Sequence, residues 1–113
     1  MTRDKQRGLP PGALEMMILR TLIRRPLHGY ALVQHIKSAS DDMLQVEEGS
    51  LYPALQRLLK DGFVSAEWGL SSTNRRVRSY RLTAAGRKHL VQESSRFEQM
   101  LAAITRVMAG SRS

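Results

Sequence analysis

The side chains of this chain best suited to chemistry come in two groups. The first is Ser50, Tyr52, Pro53, Gln56, Arg57 and Lys60, all within the stretch EEGSLYPALQRLLKDG from Glu47 to Gly62. Amides and guanidinium groups read base edges, and hydroxyls and lysines hold phosphates, so a helix face of this make-up suits a DNA major groove. The second group is Asn74, Arg75, Arg76 and Arg78, with Arg81 close behind. Guanidinium groups at that density attract a polyanionic backbone. Taken alone, each group is also the make-up of an ordinary solvated face; their order in the chain favours the first reading.

Other chemistries find little here. His28 and His35 lie seven positions apart and His89 is remote, whereas a zinc site needs closer and more numerous ligands. Cysteine is absent, which excludes disulfides and thiolate metal sites. Glu47 and Glu48 are adjacent and face different ways on either backbone, so they are not a catalytic pair. No phosphate-binding glycine loop occurs. The expectation is a protein that is not an enzyme and has no metal site and no cofactor.

Lysine and arginine number 18 against 10 acidic residues, a formal net charge of +8 and a sequence pI near 10.8. That balance calls for a polyanion: nucleic acid first, an anionic membrane surface second. Aromatic residues make up 5% of the chain, too few for a single-strand binder built on stacking platforms. With no bilayer-spanning run and no signal-peptide pattern, cytoplasmic residence without membrane association is the expectation.

The elements that must position these groups follow from periodicity. Leu51, Ala54, Leu55, Leu58 and Leu59 stand at i, i+3, i+4, i+7 and i+8, the stripe of an amphipathic helix. Pro53 cannot donate a backbone hydrogen bond, so the spacing predicts Ser50 as N-cap with Pro53 in the first turn, leaving the helix start open to a phosphate. Asp61-Gly62 ends the helix. Upstream, residues 1–8 read as a loose basic arm. Pro10-Pro11-Gly12 turn into a helix carrying Leu14, Met17, Ile18, Leu22 and Ile23, stopped by Pro26. Met16, Met17 and Leu19 make it apolar on more than one side, to be covered by its own domain or by a second chain. A helix over residues 27–40 shows Tyr30 in its first turn, either reaching a phosphate or half-buried with a solvated hydroxyl. Met43, Leu44 and Val46 suggest a short strand in the connection that follows.

Residues 63–82 alternate as a β-hairpin with a small polar tip. On that alternation Trp68 shares a face with Val64 and Ala66, which makes packing its first reading and stacking on a ligand its second. A helix with a polar face followed by an arginine-rich hairpin is the order of a winged helix-turn-helix, whose wing lies along the backbone or in the minor groove. Thr83 caps a last helix running to about Met108. Leu90, Ser94, Phe97, Leu101, Ile104 and Met108 are spaced 4, 3, 4, 3, 4 along it, a seam of about three heptads. Homodimerisation is the economical use of that seam, and docking within one chain is the alternative. The fold class expected is mainly α with a small antiparallel β-hairpin: arm 1–8, winged helix-turn-helix 9–82, C-terminal dimerisation helix and tail 83–113.

The segments LHGYAL at 27–32, EEGSLYPALQRLLKDGFV at 47–64 and RSYRLTAAGRKHL at 78–90 together resemble the PadR family of transcriptional regulators, over about residues 10 to 110. The resemblance implies a winged-helix homodimer that binds double-stranded operator DNA, usually as a repressor. It matches Ser50, Tyr52, Pro53 and Gln56 to the recognition helix, Tyr30 to the tyrosine of the second helix, and Asn74 to Arg78 to the wing. The single C-terminal helix looks like the smaller subfamily, which dimerises through that helix and the first one; Leu14, Met17, Leu90, Phe97, Leu101, Ile104 and Met108 are the interface this implies. Some relatives bind flat aromatic molecules near the dimer interface. Here Phe97 is the one aromatic residue of the last helix, and Trp68 and Phe97 are the candidates for touching a small effector. The function expected is a dimeric, sequence-specific repressor released by a small ligand; the alternative is a winged-helix protein-interaction module without sequence-specific DNA binding.

Overall fold

The computed structural model describes residues 9–110, so the expected basic arm and the last three residues of the tail lie outside the described residues. Four helices and three strands follow in the order α1 (Ala13–Thr21), β1 (Leu27–His28), α2 (Gly29–Ala39), α3 (Glu48–Lys60), β2 (Val64–Leu70), β3 (Arg76–Leu82) and α4 (Ala84–Met108). The sheet is antiparallel with strand order β1-β3-β2.

The core joins one face of each helix to the base of the sheet. Leu51, Ala54, Leu55 and Leu58, the stripe expected of α3, are buried against Ile18, Leu19 and Leu22 of the α1 segment and Leu32 and Ile36 of α2. Val64, Tyr80 and Leu90 close it from the wing and α4. No buried side-chain polar atom among the described residues lacks a hydrogen-bond partner, as a stable interior requires.

α3 stops in a Schellman arrangement: Gly62 sits at φ +77°, its N–H reaches the Leu59 carbonyl at 3.1 Å, and the Phe63 N–H reaches Leu58 at 2.9 Å. Thr83 caps α4 as expected, its Oγ1 accepting from the Gly86 N–H at 3.0 Å while donating to the Gly62 carbonyl at 2.7 Å. One hydroxyl therefore ties the end of α3 to the start of α4.

Four local expectations are corrected. α3 starts at Glu48 with Glu47 as N-cap, three positions before the expected cap, so Ser50 lies inside the helix and Pro53 in its second turn. The missing Pro53 donor leaves the Gly49 carbonyl without its helical bond, a loss offset by four buried side chains on the opposite face. The connection after α2 holds no strand. Asp41 and Asp42 adopt left-handed φ values of 55° and 65°, and Ser40 Oγ accepts from the Leu44 N–H at 3.0 Å, which curls the chain away from extended geometry. The third strand is instead Leu27–His28, paired with Tyr80 and Ser79 of β3. Finally, α1 ends at Thr21, well ahead of Pro26, freeing the chain to reach that strand.

Candidate nucleic-acid interface

α3 turns its polar side outward, with Tyr52, Pro53, Gln56, Arg57 and Lys60 exposed and Ser50 half-buried. Beside it stand the start of α2 and one side of the wing. Between them runs a groove of about 450 Å³ lined by His28, Gly29, Tyr30, Tyr52, Gln56, Trp68, Arg76, Val77, Arg78 and Tyr80. Residues far apart in the chain thus meet: Tyr30 of α2, Tyr52 and Gln56 of α3, and Arg76 and Arg78 of β3.

Close packing sets the position of Tyr52. A methyl group at Gly29 would lie 2.6 Å from the Tyr52 hydroxyl oxygen, so the bare glycine is what lets the Tyr52 ring rest against the start of α2. Burial raises the Tyr52 phenol above the ordinary tyrosine range, and the charges of Glu48 and Tyr80 add to the effect. It stays a neutral donor at physiological pH. His28 is the N-cap of α2, its Nδ1 accepting the Ala31 N–H at 3.4 Å. The sequence reading left His28 out of the candidate site; its signal was the adjacency of His28, Gly29 and Tyr30.

The wing is held by register and by its tip. Val64, Ala66, Trp68 and Leu70 stand opposite Leu82, Tyr80, Arg78 and Arg76. At the tip, Asn74 adopts φ 64°, and Ser71 Oγ accepts from the N–H groups of Thr73 and Arg75 at 3.3 and 3.2 Å. Asn74 is therefore the turn-former, a left-handed position that asparagine tolerates, and Arg75 follows it at the apex.

Trp68 departs from its first reading. It is 58% exposed, beyond the reach of the core that buries Val64, and the Arg76 guanidinium lies 4.8 Å from its ring centroid. Arg57 is set apart as well. Its Nε donates to Glu15 Oε2 at 2.7 Å, on the side of α3 that faces α1, and it lines a separate depression with Asp61, His89 and Glu93. The α3 N-terminus carries Glu47 and Glu48, which complement the helix dipole there and disfavour the expected phosphate contact.

The residues expected at a dimer interface divide. Leu14 and Leu90 are buried in this chain's own core, so they are not surface for a second copy; both pack where α1 and α4 meet the domain. Met17 is half-buried against that core. Phe97 is half-buried, whereas Leu101, Ile104 and Met108 are exposed. Phe97, Leu101 and Ile104 line an apolar groove with Pro10, Ala13, Met16 and Met100. Trp68 and Phe97, the two effector candidates, line different grooves and do not form one site within the chain. Among the described residues no cluster of three potential metal ligands occurs, and no helix is long and apolar enough to cross a membrane.

A short three-helix core, an antiparallel wing and a long final helix, in this order, define a winged-helix protein. The model of the transcriptional regulator PadR-like family matches residues 18–92, well over half of the chain, and the chain belongs to that family. It is 32% identical over 79 residues to uncharacterized protein X of Lysinibacillus sphaericus, covering 70% of this chain and 72% of that one. Its fold is similar to that of a transcriptional regulator from Clostridium thermocellum, with 29% identity, 84% and 92% of the two chains covered and a TM-score of 0.77. It is also similar to Bacillus subtilis PadR, solved in complex with operator DNA, at 25% identity and a TM-score of 0.62, over 70% of this chain and 46% of that one.

Proposed function

We propose that this chain is a homodimeric, sequence-specific DNA-binding transcriptional regulator that acts as a repressor and is released from its operator by a small ligand. The observation that carries the reading is the groove between α3, the start of α2 and the wing, where Tyr30, Tyr52, Gln56, Arg76 and Arg78 share one surface. α3 enters the major groove. Gln56 and Ser50 read base edges, Lys60 and Tyr30 hold phosphates, and Arg75, Arg76 and Arg78 follow the backbone beside the wing. Arg57, its Nε on Glu15 and the rest of its guanidinium exposed, adds sequence-independent attraction to phosphate. The net charge of +8 steers association, and the operator-bound structure of Bacillus subtilis PadR supports duplex DNA as the partner.

A second copy covers the exposed apolar side of α4. Leu101, Ile104 and Met108 are half or more exposed in the single chain, a surface that water penalises until it is paired. The two-fold then sets two α3 helices in successive major grooves, with half-sites about 10 bp apart or a multiple of that. An effector enters beside Phe97, in the apolar groove that Phe97 shares with Met16 and Met100.

Fluorescence anisotropy with a duplex from the chain's own upstream region and with a scrambled duplex, at two salt concentrations, tests the reading. A preference of about a thousand-fold or more for the native duplex is expected. Equal binding that collapses with salt would leave only charge attraction and favour the protein-interaction alternative.

A further inference from the structure

On the side of the wing that faces the groove, the lower residues belong to the core and the upper ones do not. Val64 and Tyr80 are buried, while Trp68, two rungs higher than Val64, is 58% exposed. A large apolar ring in water costs free energy that packing does not return here. What the ring does hold is a cation: the Arg76 guanidinium carbon lies 4.8 Å from its centroid. The mode of contact matters. Stacking uses the flat face of a guanidinium and leaves its in-plane N–H donors pointing outward. Ion pairing commits in-plane donors, as the Arg57 Nε–H is committed to Glu15. Arg76 thus lies over the ring with its N–H donors still available.

We infer that Trp68 is a positioning residue for DNA binding, its ring holding Arg76 at the groove in the orientation that meets a backbone phosphate. The inference rests on the DNA-binding reading above and deepens it. It gives Trp68 a role through Arg76, with no contact of its own to the nucleic acid.

Two measurements test it. In the free protein, NMR should show the Arg76 side-chain protons shifted upfield by the indole ring, with the shift lost in Trp68→Ala and kept in part in Trp68→Phe. In anisotropy titrations, Trp68→Ala should weaken both native and scrambled duplexes by about two- to five-fold, the worth of an exposed cation–π contact. Trp68→Phe should recover most of that loss. Arg76→Ala should lower the salt slope by about one, and Trp68→Ala added to it should cost nothing more. Absence of the upfield shift in the wild-type protein overturns the inference. So does unchanged duplex affinity in Trp68→Ala, or losses from Trp68→Ala and Arg76→Ala that simply add, which would mean that Trp68 touches DNA itself. A wild-type protein that binds neither duplex overturns the inference together with the reading beneath it, whereas failure of the variants alone leaves that reading standing.

Discussion

Gln56 and Arg76 sit on one groove and are expected to do different work there. An amide reads a base edge, and a good bidentate contact is worth roughly 1–3 kcal/mol against the wrong base. Gln56→Ala should therefore relax discrimination between operator and scrambled duplex more than it weakens binding overall. Arg76→Ala should weaken both duplexes alike. Parallel titrations of the two variants check this, and indistinguishable profiles would defeat the assignment. Tyr52 gives a pH-dependent prediction. Burial, aided by Glu48 and Tyr80, lifts its phenol above the ordinary value of about 10. Below that value the phenol is neutral whether the chain is folded or unfolded, and its contribution to stability is whole. As pH rises past it the unfolded chain loses the proton first, so stability falls until pH passes the folded value. Phenolate absorbance should show a late-titrating component that is absent in Tyr52→Phe; an alkaline titration that loses no late component in that variant would contradict it.

Among elements, the contact of α2 with α3 decides how the groove is shaped. Gly29 is buried beneath the Tyr52 ring, and a Cβ there would stand 2.6 Å from the hydroxyl oxygen. Gly29→Ala should push the half-exposed Tyr52 ring aside and cost no more than the low end of the range of about 1–3 kcal/mol for overpacking in chemical denaturation. Adding Tyr52→Phe, which removes the nearest atom, should return part of it. A loss that Tyr52→Phe leaves untouched would place the strain elsewhere. α4 meets the domain by a similar close approach: a side chain at Gly86 would overlap the Phe63 carbonyl. Within α3, Leu55 is fully buried, and Leu55→Ala should destabilise by about 2–5 kcal/mol.

At the scale of the molecule, the described residues extend over 60 × 36 × 21 Å, and α4 accounts for much of the long axis. Its 25 residues make roughly 37 Å of helix at 1.5 Å per residue. The first part is anchored by Leu90 in the core; beyond Phe97 the helix leaves the domain, and Met100, Leu101, Ile104, Val107 and Met108 are exposed. Leu101→Glu should shift sedimentation from dimer to monomer while circular dichroism stays that of the folded chain, because Leu101 is half exposed and lies outside the buried core of its own subunit. Loss of helical signal along with the dimer would instead give Leu101 a role inside the fold.

Sequence alone determined the elements whose signal is local. The α3 stripe, the glycine stop at Gly62, the Thr83 cap and the alternation of the wing each depend on neighbours within a few residues, and each is found where periodicity and capping chemistry put it. Tertiary structure decided what depends on distant partners. Trp68 shares a strand face with Val64, yet the core ends between them, and alternation carries no information about where a core ends. Arg57 shares the polar side of α3 with Gln56, yet Glu15 on α1 claims it. Leu14 and Leu90 look like seam residues along their own helices, but the helices cross where the domain buries both. Pro53 sits deeper in α3 than its local chemistry predicts for a related reason: its local cost argues for the first turn, and only packing by Leu51, Ala54, Leu55 and Leu58 lets the helix begin earlier. The polar groups of the groove were legible one by one. That Tyr30, Gln56 and Arg76 stand together was a fact of packing, because hydrophobic burial, not sequence spacing, sets the distance between elements.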